Sequence, residues 1–152
     1  VTGATGFAPC TAEASRELLR AHSIDPAGRR VTVVGRSLVI GRPAALLLTR
    51  ADATVTLCHR KTPDLAARCR AADILLAAAG APGLITPECV RPGQIVLDAG
   101  ATALPDGTLR GDVTPAAAAI AACTPVPGGI GSVTTALLLR HTVQAAEKSH
   151  HF

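Results

Sequence analysis

The stretch from Val31 to Leu48 constrains this chain more than any other. It reads VTVVGRSLVIGRPAALLL, a strand-like run followed by Gly35, a polar loop, Gly41, a proline and an apolar run typical of a helix. This order of strand, tight turn and helix start is how α/β proteins present backbone N–H groups to a phosphate. Because glycine in such a turn also has purely steric uses, the loop by itself establishes no ligand.

Strand and helix patterns alternate along the rest of the chain. The predicted strands cover 31–34, 53–58, 73–79 and 94–98. The predicted helices cover 11–22, 44–51, a segment beginning at Thr62, a short Ala-rich piece at 116–122, and 133–146. This rhythm is that of βαβ units joined by right-handed crossovers. Apolar residues make up 48% of the chain and are almost all aliphatic, which suits strands buried on both faces. We therefore predict an α/β, three-layer Rossmann-like fold with a mainly parallel sheet.

The length of 152 residues predicts a single domain over 1–152. Residues 1–10 are expected to be an irregular lead-in segment and residues 147–152 a frayed tail. Thr11 and Thr62 are expected to cap the helices that they precede. Asp106-Gly107 lies between two short extended pieces within 104–111, which indicates a β-hairpin.

Several function classes are disfavoured by composition. The net charge of +4 is not gathered into a basic stripe, and the chain lacks Trp and Tyr, so we expect no nucleic-acid partner. The five cysteines have no CxxC spacing, and they predict small buried thiols in a reducing compartment without a metal site. No long uninterrupted apolar run appears, which favours a cytoplasmic protein without a membrane partner.

The end of the second predicted strand carries the run His59-Arg60-Lys61. Dinucleotide folds place the side chain that contacts the adenosine ribose about 20 residues after the first glycine of the loop, and an NAD-selective site usually has Asp or Glu there. Basic residues at that position favour a 2′-phosphate, which Arg36 could also contact. The alternative is an ordinary solvated strand end. Taken with the glycine loop, the run makes NADP the preferred cofactor.

A second glycine-rich segment, TPVPGGIGSVT, begins at Thr124. Its two prolines stiffen the chain, and its three glycines allow the backbone to approach a ligand closely before the last helix. An equally good interpretation is a helix start capped by Ser132 or Thr134.

Six segments together resemble a known family. They are APCT at Ala8, VGRSLVIGRP at Val34, TLCHRKT at Thr56, DAG at Asp98, GDV at Gly111 and TPVPGGIG at Thr124. In this order they resemble the C-terminal half of bifunctional methylenetetrahydrofolate dehydrogenase/cyclohydrolase. The resemblance implies a Rossmann-like NADP-binding domain in an enzyme that oxidises 5,10-methylenetetrahydrofolate to the methenyl form and hydrolyses that to 10-formyltetrahydrofolate.

The same resemblance implies roles for individual residues. Gly35, Arg36 and Ser37 would hold the cofactor, with Arg60 near the 2′-phosphate and Ala101 beside the nicotinamide half. His59, from the basic run after the second strand, is a further expected cofactor-binding residue. Pro127, Gly128, Gly129 and Gly131 would line the folate side. Cys10 is interpreted as a packing residue rather than a nucleophile, because no partner base is indicated.

The chain also departs from the family pattern. The N-terminal half is absent, and with it the Tyr-x-x-x-Lys pair whose lysine is catalytic, so no catalytic residue is assigned and the chain is expected to be inactive alone. A tetrahydrofolate derivative is the expected partner if another domain supplies that lysine; a homodimer or a partner chain stays open. One alternative is a non-catalytic NADP-binding or regulatory module. A weaker alternative is the nucleotide domain of an amino-acid or shikimate-type dehydrogenase, because such a domain would not explain the Pro-Gly-Gly-Ile-Gly segment.

Overall fold

The computed structural model describes residues 6–149, in which strands alternate with helices. Its strands are β1 (Arg30–Val34), β2 (Thr54–Cys58), β3 (Ile74–Ala77), β4 (Ile95–Asp98), β5 (Thr102–Ala103), β6 (Leu109–Arg110) and β7 (Ala122–Cys123). Its α-helices are α1 (Cys10–Ala21), α2 (Gly41–Thr49), α3 (Leu65–Ala71), α4 (Pro115–Ala118) and α5 (Ile130–Ser149), and a short 3-10 helix covers Pro87–Cys89.

Within residues 6–149, five strands form a parallel sheet in the order β2-β1-β3-β4-β7. Strand β1 is an interior strand that pairs with β2 on one side and β3 on the other, so that Val34 lies beside both Cys58 and Ala77. Strands β5 and β6 pair antiparallel as a separate hairpin. The predicted α/β fold with a mainly parallel sheet is confirmed, and so is the hairpin.

The sheet is buried on both faces by aliphatic side chains. Successive strand residues point to opposite faces, so each strand contributes to two clusters. The cluster beneath α1, α2 and α5 includes Val31, Val33, Ile74, Leu76 and Leu97. The cluster beneath α3 and α4 includes Val34, Leu75, Ala77 and Val96. This arrangement explains how the chain builds its core almost without aromatic residues.

The predicted threonine caps are wrong. Helix α1 begins at Cys10 after Pro9, and no side chain caps its N-terminus. Helix α3 begins at Leu65, after Asp64 in a left-handed conformation with φ of 52°. Thr62 instead accepts a hydrogen bond at 2.9 Å from the backbone N–H of His59. The hydroxyl therefore closes the turn after β2, which competes with its use as a helix cap.

The predicted helix at 116–122 is shorter than expected. Helix α4 ends at Ala118, and Ala122–Cys123 forms β7. The backbone N–H of Ala122 donates to the carbonyl of Gln94 at 3.0 Å, and that of Thr124 donates to Val96 at 3.0 Å. Pairing with the exposed side of β4 thus overrides the helix propensity of the alanines.

The last helix begins earlier than predicted, at Ile130 rather than Val133. The Thr134 hydroxyl donates to the carbonyl of Ile130 at 2.9 Å, so it does not cap the helix. The helix also continues through Ser149, so the expected frayed tail is wrong for residues 147–149. Residues 150–152 and the first five residues of the lead-in segment lie outside the described residues. Within residues 6–149, no helix has both the length and the apolar character needed to cross a membrane.

A buried glutamine connects α3 to the start of β4. Gln94 is fully buried, and its Nε2 donates to the carbonyls of Cys69 at 2.7 Å and Ala72 at 3.0 Å. Its Oε1 accepts from the backbone N–H of Arg91 at 3.3 Å. The amide therefore bonds to the carbonyls of two buried residues, Cys69 and Ala72, and to the N–H of the partly buried Arg91.

Replacing this amide tests its contribution. Gln94→Met keeps the side-chain length but removes three hydrogen bonds, and we expect the free energy of unfolding to fall by about 1–3 kcal/mol. Gln144→Met, at an exposed position of α5, should change it by less than about 0.5 kcal/mol. Denaturant unfolding measures both, and equal effects would contradict the assignment.

Candidate functional site

The strand order creates a crevice at the carboxyl edge of the sheet. From β1 the chain moves to one side to form β2, then returns across β1 to form β3. The connections that follow β1 and β3 therefore leave the sheet in opposite directions. In open α/β sheets, ligands bind at such a reversal, outside the carboxyl ends of the strands.

Two glycines allow the loop after β1 to lie against its neighbours. Gly35 has φ of 129°, and a Cβ placed on it would overlap the backbone carbonyl of Ala78 at the end of β3. A Cβ on Gly41 would overlap the carbonyl of Gly35. The spacing of these glycines thus has a steric cause: the turn after β1 is pressed between β3 and the first turn of α2.

Ser37 organises the same loop. Its Oγ accepts hydrogen bonds from the backbone N–H groups of Ile40 at 3.0 Å and Gly41 at 3.4 Å. Both bonds use the hydroxyl as an acceptor, so its own hydrogen stays available to a ligand. Ser37 and the neighbouring Arg36 are both exposed.

A cleft of about 410 Å³, here called the basic cleft, lies at the ends of β1, β2 and β3. It is lined by Gly35, Arg36, His59, Arg60, Lys61, Ala79, Gly80 and Ala81. Cys58, the last residue of β2, is fully buried, so the side chains after it are the first to reach the cleft. Within residues 6–149, no carboxylate forms an ion pair with Arg36, Arg60 or Lys61.

The imidazole of His59 stabilises the turn that carries these cations. Its Nδ1 accepts a hydrogen bond at 3.2 Å from the backbone N–H of Lys61. The carbonyl of His59 accepts from the backbone N–H of Thr62 at 2.7 Å. The neutral ring therefore carries its proton on Nε2 and can donate from that side.

The loop after β3 is held by Asp112. Its Oδ2 accepts from the backbone N–H groups of Ala79 at 2.6 Å and Gly80 at 3.1 Å, and its Oδ1 accepts from Ala81 at 2.7 Å. Asp112 is fully buried. One carboxylate thus fixes the backbone of all three residues that this loop contributes to the basic cleft.

Asp98, at the end of β4, in turn holds Asp112. Its two oxygens accept from the backbone N–H groups of Gly100 at 2.9 Å, Asp112 at 3.0 Å and Val113 at 3.0 Å. Burial raises the pKa of the Asp98 carboxyl, and these donors oppose that shift. A Cβ on Gly111 would overlap the Asp98 carboxylate. The two aspartates occur in DAG and GDV, but their roles depend on contacts that a sequence does not display.

A second cleft of about 410 Å³, here called the proline–glycine cleft, lies beyond the end of β4. It brings together Ala101, Pro127, Gly128, Gly129 and Gly131, with Ile40 from the start of α2. The peptide bond between Val126 and Pro127 is cis. Gly128 has φ of 101° and a Cβ on Gly129 would overlap the Pro125 carbonyl, whereas Gly131 has open space around it.

The predicted site residues therefore divide between two clefts. Gly35, Arg36, His59 and Arg60 line the basic cleft, while Ala101 lies in the proline–glycine cleft with all four residues expected on the folate side. Ser37 lines neither cleft, and it lies in the 35–41 loop that connects them.

Asp112→Asn tests whether the carboxylate holds the loop after β3. Asn offers one acceptor oxygen in place of two, so at least one of three backbone N–H groups loses its partner. We expect the free energy of unfolding to fall by about 1–3 kcal/mol. Amide hydrogen exchange should also become faster at Ala79–Ala81.

The control is Asp52→Asn. Asp52 is exposed with φ of 59°, a conformation that Asn tolerates. It should change neither stability nor exchange at Ala79–Ala81. Unchanged exchange at that loop in Asp112→Asn would show that the carboxylate does not order it.

Comparison with known proteins agrees with this geometry. Residues 9–150 match the family model described as tetrahydrofolate dehydrogenase/cyclohydrolase, NAD(P)-binding domain. Bifunctional protein FolD 1 of Rhodococcus jostii is 58% identical over 142 residues, covering 92% of this chain and 48% of the relative. The chain thus spans about half the length of such relatives.

Solved structures extend the comparison. The FolD dehydrogenase/cyclohydrolase of Campylobacter jejuni superposes with a TM-score of 0.90 at 41% identity, covering 95% of this chain and 52% of that one. The Trypanosoma brucei FolD enzyme, solved in complex with NADP and an inhibitor, has a TM-score of 0.89 at 43% identity and covers 96% and 52%. The chain therefore belongs to the tetrahydrofolate dehydrogenase/cyclohydrolase family and corresponds to its NAD(P)-binding domain.

Proposed function

We propose that this chain binds NADP along the carboxyl edge of the sheet, as the cofactor-binding half of a methylenetetrahydrofolate dehydrogenase/cyclohydrolase in one-carbon folate metabolism. The residues proposed to hold the adenosine side are Gly35, Arg36, Ser37, His59 and Arg60, with Ala101 on the nicotinamide side. The proposed domain is 1–152 as one unit, acting in the cytoplasm.

The observation that carries the choice of NADP is the unpaired positive charge of the basic cleft. Arg36 and Arg60 approach from two different strand ends, and neither forms an ion pair among residues 6–149. A 2′-phosphate is a compact anion that guanidinium groups bind with charge-assisted hydrogen bonds. None of the described residues that line this cleft is acidic, so none of them would accept from the ribose 2′-hydroxyl of NAD.

The shape of the loop after β1 fits a pyrophosphate. Gly35 has no side chain between the cleft and β3, and Ser37 can donate its hydroxyl hydrogen. The backbone N–H groups of Ile40, Gly41 and Arg42 are already bonded to Ser37, so the start of α2 offers an anion its positive partial charge rather than these donors. A helix N-terminus beside a glycine loop favours a phosphate for this reason.

The proline–glycine cleft is the proposed place for the nicotinamide ring and the folate. Pro127, Gly128, Gly129 and Gly131 form a wall with little side-chain bulk. When bound there, NADP+ supplies the hydride acceptor that converts the 5,10-methylene to the 5,10-methenyl form. The chain's own contribution is to orient the ring against this wall.

The residues that line the proline–glycine cleft also support the proposal that the catalytic groups come from a second domain. Of the described residues that line the proline–glycine cleft, Asp98 is the titratable one, and it is buried and accepts three backbone hydrogen bonds. A carboxylate held in this way is not free to move a proton to or from the folate. Oxidation and the subsequent hydrolysis to 10-formyltetrahydrofolate are therefore proposed for the chain only together with a second domain.

Calorimetry with NADP+ and NAD+ tests the cofactor assignment. We expect clear preference for NADP+, and we expect Arg60→Ala or Arg36→Ala to weaken NADP+ binding by about tenfold or more through loss of charge-assisted hydrogen bonds. Binding of NAD+ should change little, because it lacks the 2′-phosphate.

Arg50→Ala is the matched control, since Arg50 is exposed at the far end of α2. It should leave both affinities unchanged. Failure of the chain to bind either nucleotide would refute the proposal, and equal losses for NAD+ and NADP+ would refute the 2′-phosphate contact.

A turnover assay tests whether the reaction requires a second domain in addition to this chain. The chain alone should not oxidise 5,10-methylenetetrahydrofolate with NADP+, whereas fusion to the N-terminal half of the Rhodococcus jostii relative should restore NADPH formation. Turnover by the unfused chain would require a catalytic group within it. If the fusion binds NADP+ but stays inactive, the folate part of the proposal fails while the cofactor part stands.

A further inference from the structure

Three polar side chains outside both clefts meet where α1 packs against α5. Cys10 Sγ lies 3.5 Å from His141 Nδ1, although the residues are 131 positions apart. On the other side of the ring, His141 Nε2 lies 3.1 Å from Glu13 Oε2. Cys10 is half-buried at the first position of α1, and His141 is 7% exposed.

The carboxylate determines which nitrogen of His141 carries the proton. The Glu13 carboxylate lies within ion-pair distance of Nε2, so it favours the form of the ring that carries a proton on that nitrogen. In the neutral ring, Nδ1 is then unprotonated and directed at the thiol. His141 is thus arranged to accept the proton of Cys10.

The surrounding groups hold this arrangement. Phe7 stacks on the imidazole with ring centroids 4.4 Å apart, and Lys148 Nζ lies 5.4 Å from the Phe7 ring centre. Arg140 binds the second oxygen of Glu13 at 2.7 Å. Charged groups beside the unit on α1 and α5 include Glu13, Arg140 and, over the Phe7 ring, Lys148. The positive partial charge at the N-terminus of α1 also favours an anion at Cys10.

The other cysteines are in less reactive surroundings. Cys58, Cys69 and Cys89 are buried in the cluster beneath α3. Burial raises the pKa of the Cys58 thiol, that of Cys69 to about 12 and that of Cys123 to about 11. Among residues 6–149, Cys10 is the cysteine with an imidazole partner.

We infer that Cys10, Glu13 and His141 form a thiol–imidazole–carboxylate unit that makes Cys10 a site of S-thiolation by low-molecular-weight disulfides. His141 Nδ1 takes the thiol proton, and the Cys10 thiolate attacks one sulfur of the disulfide. A new S–S bond forms, the original one breaks, and the second half of the disulfide leaves as a thiolate. An external thiol reverses the step by the same exchange.

This inference reverses the sequence interpretation of Cys10 as a packing residue. That interpretation depended on the lack of a partner base near Cys10. The base comes from the last helix, and packing of α1 on α5 places it there.

The rate of reaction with dithiobisnitrobenzoate tests the unit, with mass spectrometry to locate the adduct. At about pH 6 an unassisted thiol is almost fully protonated, so the chain should react about fivefold to tenfold faster than its His141→Asn variant. An unassisted thiol ionises without a base as the pH rises past about 8.5, so the ratio of the two rates should fall toward one at about pH 9. A change of access alone would alter both rates alike.

Glu13→Gln should reduce the advantage at pH 6 in the same direction, because the imidazolium loses its carboxylate. His22→Asn is the matched control on α1, since His22 is exposed and contacts the Leu18 carbonyl rather than a thiol. Cys10→Ser should abolish the fast phase, with circular dichroism showing that each variant is folded. First labelling at another cysteine, or an equal ratio of rates at both pH values, would overturn the inference.

Discussion

Two buried carboxylates that accept only backbone hydrogen bonds organise the carboxyl edge of this sheet. Asp98 holds Asp112, and Asp112 holds the loop after β3. Each oxygen is matched by N–H donors, which offsets the cost of burying the charge. The basic cleft depends on these contacts, because one of its walls is the backbone of the loop after β3, which Asp112 holds in place.

The relation between sequence and fold is clearest in the sheet. Val31, Val33 and the aliphatic run after Asp73 predict buried parallel strands, and the structure places them at the centre. The errors occur where a short element depends on a distant neighbour. Ala122–Cys123 has the composition of a helix end, and it becomes a strand because β4 offers an unpaired side. Thr62 has the sequence context of a helix cap, but its hydroxyl oxygen accepts a hydrogen bond from the backbone N–H of His59 instead.

The site shows the same division. The glycine loop and the basic run can be found from spacing, because Gly35 and the run that begins at His59 follow strands whose ends must meet at one edge. The groups that hold the site in place cannot be found that way. Asp112 accepts a hydrogen bond from Ala79, which lies 33 residues away in the sequence, and His141 contacts Cys10, which lies 131 residues away. Such pairings are consequences of packing between elements, so they become visible only after the topology is known.

The hydrogen bond from the Asp112 backbone to Asp98 also affects the hairpin that lies between these two residues. The backbone N–H groups of Gly100, Asp112 and Val113 all donate to the Asp98 carboxylate, so the two ends of the segment that contains the hairpin are held together. The exposed tip around Asp106-Gly107 lies beyond this closure, and Leu109 is the residue of β6 that lines the proline–glycine cleft. Lengthening a closed loop costs little, about 0.6 kcal/mol for each doubling. The hairpin tip is thus the point at which this domain can accommodate added sequence, and so acquire new surface, while the hydrogen bonds of Asp98 and Asp112 at the base of the hairpin stay in place.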